Sequence, residues 1–133
     1  MVAKKIRLEH SIATAAVLNQ IFSQRLFVVC RNPGKLVVLD SRDGHSVADF
    51  PTGARADEAI FDQAHRRIYV TAGEGKIYAY DVRDADRIRP LEPIASAPGA
   101  KTALLAPGAR RLYVSVSPGE GKTGAKVLTY AVN

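Results

Sequence analysis

The sequence predicts an all-β chain made of about three units, each a small antiparallel sheet of up to four strands. Three observations predict it. A short apolar segment opened by arginine occurs three times: Arg25-Leu26-Phe27-Val28-Val29, Arg67-Ile68-Tyr69-Val70-Thr71 and Arg111-Leu112-Tyr113-Val114-Ser115. Leu26 to Ile68 is 42 positions and Ile68 to Leu112 is 44, and self-similarity at such a period is the signature of a repeat architecture. The runs are short and rich in Val, Leu, Ile and Tyr, with Gly, Pro, Asn and Asp between them, which is the composition of strands joined by tight turns. Finally, Leu26 to Cys30 contains no polar side chain, and a strand of that kind needs cover on both of its faces.

The elements follow in order. The first unit holds Ala15-Ala16-Val17-Leu18, the arginine-opened run, Lys35-Leu36-Val37-Val38-Leu39-Asp40 and Ser46-Val47-Ala48-Asp49-Phe50. Its last two runs are joined by Ser41-Arg42-Asp43-Gly44, whose Asp-Gly pair suits a hairpin turn. The second unit repeats the pattern with Glu58-Ala59-Ile60-Phe61, the arginine-opened run, Lys76-Ile77-Tyr78-Ala79-Tyr80-Asp81 and a strand around Arg87-Ile88-Arg89-Pro90-Leu91. The third has Thr102-Ala103-Leu104-Leu105, the arginine-opened run and Lys126-Val127-Leu128-Thr129-Tyr130, with no fourth run before Asn133. Ile12 to Ile21 can be drawn as a helix, but its repeat partners read as strands. Four-stranded sheets of this length, stacked face against face, are the blades of a β-propeller. The chain reads as one such segment, 1–133, with blades at about 14–51, 57–94 and 101–132. A further strand at 5–9, Lys5-Ile6-Arg7-Leu8-Glu9, has the character of an outer strand and would complete a last blade.

Tyr69-Val70-Thr71-Ala72-Gly73 followed by Ile77-Tyr78-Ala79-Tyr80-Asp81 resembles the YVTN-type β-propeller repeat, a WD-like arrangement, with Ala72 where the name-giving Asn stands. Leu36-Val37-Val38-Leu39-Asp40 through Phe50-Pro51-Thr52-Gly53 matches the rest of that repeat. The resemblance runs from about Thr14 to Val132. It implies the fold, and it admits several functions, since such propellers serve as binding scaffolds, quinoprotein-like subunits and lactonases.

Three blades are too few to close a ring. An open arc is expected to leave two sheet faces bare, each with several hundred Å² of apolar surface. At about 25 cal/mol/Å² that forfeits several kcal/mol per face, comparable with a domain's whole net stability. Two resolutions follow. Either two chains pair head to tail into a six-bladed homodimeric ring, or further blades of a longer chain complete it.

Composition bounds the rest. The chain has 133 residues, 47% hydrophobic and 24% charged, which suits one domain and excludes wholesale disorder. No run approaches the roughly 18 apolar residues of a membrane span, so no membrane partner is expected. One cysteine excludes an intramolecular disulfide framework and a cysteine-rich zinc site. The basic start Met1-Val2-Ala3-Lys4-Lys5 is followed by Leu8-Glu9-His10-Ser11 rather than an apolar run, so no secretory signal is read. The expected location is cytoplasmic as written, or periplasmic or extracellular for a piece of a longer exported protein. A net charge of +6 invites a polyanion, but the cations are spread along the chain.

Repeat geometry assigns loops to the two ends of the sheets. Arg25, Arg66-Arg67 and Arg110-Arg111 fall at one end, where they either form a basic surface or cover apolar edges with their stems. The other end gathers Arg31-Asn32, Arg55, Asp57-Glu58, Glu74, Lys101-Thr102 and Lys122. The candidate binding set is Arg31, Asn32, Arg55, Asp57, Glu74 and Lys101, with Arg31, Arg55 and Lys101 facing a carboxylate or phosphate and Asp57 orienting them. No catalytic residue, metal ligand or cofactor is assigned. Gly119-Glu120-Gly121-Lys122-Thr123-Gly124 lacks the leading glycine of a phosphate loop, since Val116 stands there, and reads as a loop between strands. His10, His45 and His65 have no partners at metal-ligand spacing and read as solvated turn residues. Cys30 reads as a small buried hydrophobe.

The function expected is a non-enzymatic β-propeller scaffold with a ligand or partner surface on that loop-rich end. The alternative is a lactonase-like or quinoprotein-like enzyme completed by further blades, for which Asp57, Glu58 and Glu74 are the only candidate acids. A third is weak polyanion or nucleic-acid binding by the arginine-rich end.

Overall fold

A computed structural model describes residues 16–22 by their backbone, together with 24–119 and 123–133. The strand expected at 5–9, His10 and Lys122 lie outside the described residues. The chain is all-β: among the described residues, twelve strands form three antiparallel sheets and there is no helix.

Sheet one holds β1 (Ala16–Phe22), β2 (Arg25–Arg31), β3 (Gly34–Asp40) and β4 (Ser46–Pro51) in sequence order. Sheet two holds β5 (Ala56–Asp62), β6 (Arg67–Ala72) and β7 (Lys76–Asp81), then β8 (Arg89–Pro90) and β9 (Ile94–Ala95), both of which pair with β7. Sheet three holds β10 (Ala100–Ala106), β11 (Arg111–Val116) and β12 (Lys126–Ala131). The region drawn above as a possible helix is therefore a strand from Ala16 onward.

The fourth strand of sheet two departs from expectation. It is not one strand around 87–91 but two short pieces on either side of Leu91-Glu92-Pro93. Pro90 and Pro93 have no N–H to give to a ladder, so continuous pairing along β7 is interrupted. Leu91 N still donates to Ala79 O at 2.8 Å, which holds the interruption close to β7.

Packing explains the apolar runs. Phe27, Val29, Leu36 and Val38 on one face of sheet one meet Ala59, Ile68, Val70, Tyr80 and Val82 of sheet two. The other face of sheet two gives Tyr69, Ile77 and Ala79 to a second cluster with Leu112, Val114 and Val116 of sheet three. Sheet two is thus covered on both sides, as a run such as Ile68-Tyr69-Val70 requires. Burying each of these larger side chains contributes about 1.5–3 kcal/mol. Phe50 of β4 reaches across to Tyr80, ring centroids 5.3 Å apart, and the Tyr80 hydroxyl donates to Pro51 O.

The expectation of two bare faces is half corrected. Val28, Cys30, Val37 and Leu39, on the far face of sheet one, are buried. The far side of sheet three does carry apolar groups in water: Leu104 is 67% and Val127 63% exposed.

The stacking relation recurs. β5 packs against β1 and β2, and β10 packs against β5 and β6. Each first strand also carries a register shift, at Leu18/Gln20, Ala56/Glu58 and Ala100/Ala103. Before each second strand, Gln24, Arg66 and Arg110 sit in the left-handed region at φ 59°, 51° and 50°. Their carbonyls accept the N–H of Ser41, Val82 and Val132 at 2.9–3.0 Å, tying each second strand to the end of the third.

Candidate functional site

The loops at one end of the sheets are joined by a backbone ladder. Thr52 N donates to Gly34 O, Gly73 N to Arg55 O, Gly99 N to Gly73 O and Ser117 N to Gly99 O, at 2.9–3.1 Å. The β4–β5 connection is therefore bonded to the turns of sheets one and two, and the β9–β10 connection to those of sheets two and three. Backbone paired in this way gives the side chains rooted in it a fixed base.

Arg31 ends β2, and Asn32 follows it in a turn with a cis bond to Pro33; both side chains are exposed. Arg31 Nη1 lies 3.6 Å from Asp57 Oδ1 on β5, a contact between sheets one and two. Arg55 has left-handed backbone (φ 62°) and its Nη2 donates to Gly73 O at 2.9 Å. Glu74 accepts the Tyr78 hydroxyl and, at 3.3 Å, the Ala54 N–H. The Tyr78 bond is the main cause holding its carboxyl below the usual glutamate range. Lys101 lies within the β10 register shift, exposed, and its carbonyl accepts the hydroxyl of buried Thr71 at 2.6 Å. A bulge of this kind re-aims side chains.

Arg55 and Lys101 come together. Both line a cavity of about 590 Å³ closed by Ser117, Gly119, Thr123 and Lys126 among others. Arg31 and Asp57 form their own pair, and Glu74 is bonded to Tyr78 of β7 and to Ala54 of the β4–β5 connection, beside Arg55. Lys126 was not in the candidate set. It was visible in the sequence only as one of three lysines opening third strands.

The acids considered for a metal are each engaged elsewhere: Asp57 with Arg31, Glu74 with Tyr78 and Ala54, and Glu58 with the Ala103 N–H at 3.0 Å. No group of three His, Cys, Asp or Glu side chains placed to share a metal occurs among the described residues. The glycine-rich run after Val116 has strands on both sides, β11 and β12.

At the opposite end, the arginines divide. Arg25 is ion-paired with Asp40 at 3.2 Å and with Asp86 at 2.7 Å, and Arg67 Nη1 donates to Asn133 O at 3.0 Å. Arg66, Arg110 and Arg111 are exposed. The histidines are less free than expected. His45 Nδ1 lies 2.6 Å from Asp43 Oδ1, and half-buried His65 lies 2.7 Å from buried Asp62.

The sequence reading missed a recurrent aspartate–arginine unit here. Asp40-Ser41-Arg42 and Asp81-Val82-Arg83 fold alike: the N–H of each arginine donates to the aspartate two residues before it, and its guanidinium grips the same carboxylate. The signal was present, as Asp-x-Arg repeated at the close of two third strands. Cys30 is buried, and burial pushes its thiol up despite Lys35 nearby.

No protein-family model matches the chain, and no curated protein matches it.

Proposed function

We propose that the chain is a β-propeller-type binding scaffold, with its ligand or partner surface on the loops joined by the backbone ladder. The observation that carries this reading is the repeated stacking relation: β5 lies against β1 and β2 as β10 lies against β5 and β6. A relation applied repeatedly either closes or extends. The exposed Leu104 and Val127 of the third sheet, which has three strands among the described residues, favour continuation of the stack from that side. The resemblance to the YVTN-type repeat points the same way. A second copy or further blades would complete the ring.

Sedimentation equilibrium of the 14.3 kDa chain at micromolar concentration tests the proposal. A particle of twice that mass, reduced to a monomer by Leu104→Lys or Val127→Lys without loss of β-sheet signal, supports pairing through sheet three. A monomer of wild-type chain removes the paired form and leaves completion by further blades. A crystal structure in which the three sheets are not related by one recurring rotation overturns the propeller reading itself.

A further inference from the structure

We infer that the cleft between sheets two and three, where the broken β8–β9 margin faces β12, binds a small planar aromatic molecule carrying a hydrogen-bond donor, of the phenol or indole type. The inference goes beyond the scaffold reading, since the described residues of this cleft share none with the loop ladder.

The two interfaces between sheets are built on one plan. Tyr80 pairs with Ile68 and Tyr130 with Leu112, the second residues of two arginine-opened strands. Both hydroxyls reach back to the preceding sheet: Tyr80 donates to Pro51 O at 3.3 Å and Tyr130 to Ala95 O at 2.9 Å. Pro51 and Ala95 are equivalent, because they pair with Lys35 and Lys76, the lysines of two third strands. By the same register Phe50 corresponds to Ile94, and Val38 corresponds to Ala79.

What fills the two interfaces differs. At the first, the Phe50 ring lies against Tyr80, which is buried. At the second, Ile94 stands in place of the ring and the methyl of Ala79 in place of the Val38 isopropyl, and Tyr130 is only half-buried. The space left is a cavity of about 380 Å³ between Tyr69, Ala79, Leu91, Ile94, Leu112 and Tyr130. That lies within the range of small-molecule sites, roughly 300–1,000 Å³. Its walls are fixed by backbone: the Tyr130 hydroxyl is held on Ala95 O, and Leu91 N on Ala79 O at 2.8 Å. These residues lie on β6, β7, β11, the 91–95 segment and the end of β12, all of them described.

The chain itself shows what suits this station. At the first interface an aromatic ring meets the tyrosine tilted by 45°, with centroids 5.3 Å apart, a favoured geometry for such pairs. A planar ring entering the second interface takes the place of Phe50, against Tyr130 and the aliphatic Leu91, Ile94 and Leu112. Removing that ring from water drives the binding. At the mouth stands the exposed carboxylate of Glu92, which forms no hydrogen bond or ion pair among the described residues. An ionised carboxylate only accepts, so it suits an O–H or N–H on the ligand and repels a carboxylate. Arg67 also reaches the cavity, but its guanidinium already donates to Asn133 O at 3.0 Å.

The test is an NMR titration of the full chain with indole, phenol, cyclohexanol and benzoate. Indole and phenol are expected to saturate one site per chain at about 1 mM or tighter, with amide shifts centred on Ala79, Leu91, Ile94 and Tyr130. Cyclohexanol, which keeps the hydroxyl but lacks the flat ring, and benzoate should each bind about fivefold or more weakly than phenol. Ile94→Phe restores the ring of the first interface and should abolish binding without lowering the melting temperature. Should that variant fail to fold, Ala79→Val narrows the same cleft and should weaken indole instead. Glu92→Ala, at an exposed position, should weaken phenol and indole about threefold or more. Failure to saturate by about 10 mM, shifts centred elsewhere, or a folded cleft-filling variant that binds as wild type does overturns the site. Cyclohexanol matching phenol overturns the aromatic class, and unchanged affinity in Glu92→Ala overturns the part given to its carboxylate.

Discussion

Asp40 and Asp81 close the third strands of sheets one and two, and each turns the arginine two residues later back onto its own carboxylate. Arg25 joins at Asp40 and Arg89 joins at Asp81. Both carboxyls are held well below the usual carboxylate range, first by the guanidinium bond from Arg42 or Arg83, then by the N–H of that same arginine. A depressed native value means that the stabilisation is present above the ordinary carboxylate pKa and is lost as the pH falls. The urea midpoint is therefore expected to drop steeply below about pH 4. In an Asp40→Asn/Asp81→Asn double variant it should start lower at neutral pH and change less on acidification. An unchanged acid limb would show that these carboxylates do not govern it.

Arg66 offers a backbone test. Its φ of 51° is one glycine adopts freely and a β-branched residue resists. Arg66→Val is expected to lower stability by about 1–3 kcal/mol, while Arg66→Gly should leave it within about 1 kcal/mol of wild type. Denaturant unfolding of the two variants reads the difference. Equal losses would place the arginine's importance in its side chain.

Gly34 tests close approach. A Cβ there would overlap the backbone carbonyl of Gly53, beside the Thr52–Gly34 bond. Backbone on both sides leaves no flexible side chain to move aside. Gly34→Ala is expected to cost about 1–3 kcal/mol and to disturb the β4–β5 connection. Thermal melts and amide shifts at Thr52 and Gly53 report the two effects.

The tyrosines set an alkaline limit. Tyr78 is pushed up to about 12, by burial first and then by its bond to Glu74. Burial raises Tyr80 and Tyr130 as well. A raised native value gives stability that is complete below about pH 10 and lost as the pH climbs through about 12. Ultraviolet titration should show part of the phenolate signal delayed until the chain unfolds, and Tyr78→Phe should shrink that part.

Cys30 should be inert. The thiol is 1% exposed and its pKa is raised, so a thiol reagent should label it only as fast as the protein opens. Rapid labelling under native conditions would contradict the packing of sheet one.

The strands were legible because their pattern is dictated by burial. Ile68-Tyr69-Val70 is continuous because its alternate side chains enter different clusters, and the Asp43-Gly44 turn follows from glycine at φ 82°. Two of the candidate residues, Arg55 and Lys101, share a cavity, and Arg31 and Asp57 share an ion pair. Less could be read where geometry rather than hydropathy decides. Left-handed Gln24, Arg66 and Arg110 carry no glycine to betray them. Lys126 joins the cavity only through its pairing with Val116, a register relation. The break at Pro90 and Pro93 was written in the sequence, but its outcome, two short strands rather than one, depends on the β7 edge they share.

That break has a bearing on solubility. A long uninterrupted margin of a β-sheet can template the addition of strands from neighbouring molecules, the first step toward fibrils. Along sheet two, proline nitrogens and a detour at Leu91-Glu92-Pro93 deny an incoming chain the regular row of donors that such growth requires. The interruption thus serves as a gatekeeper against misassembly on the sheet that is packed on both of its faces.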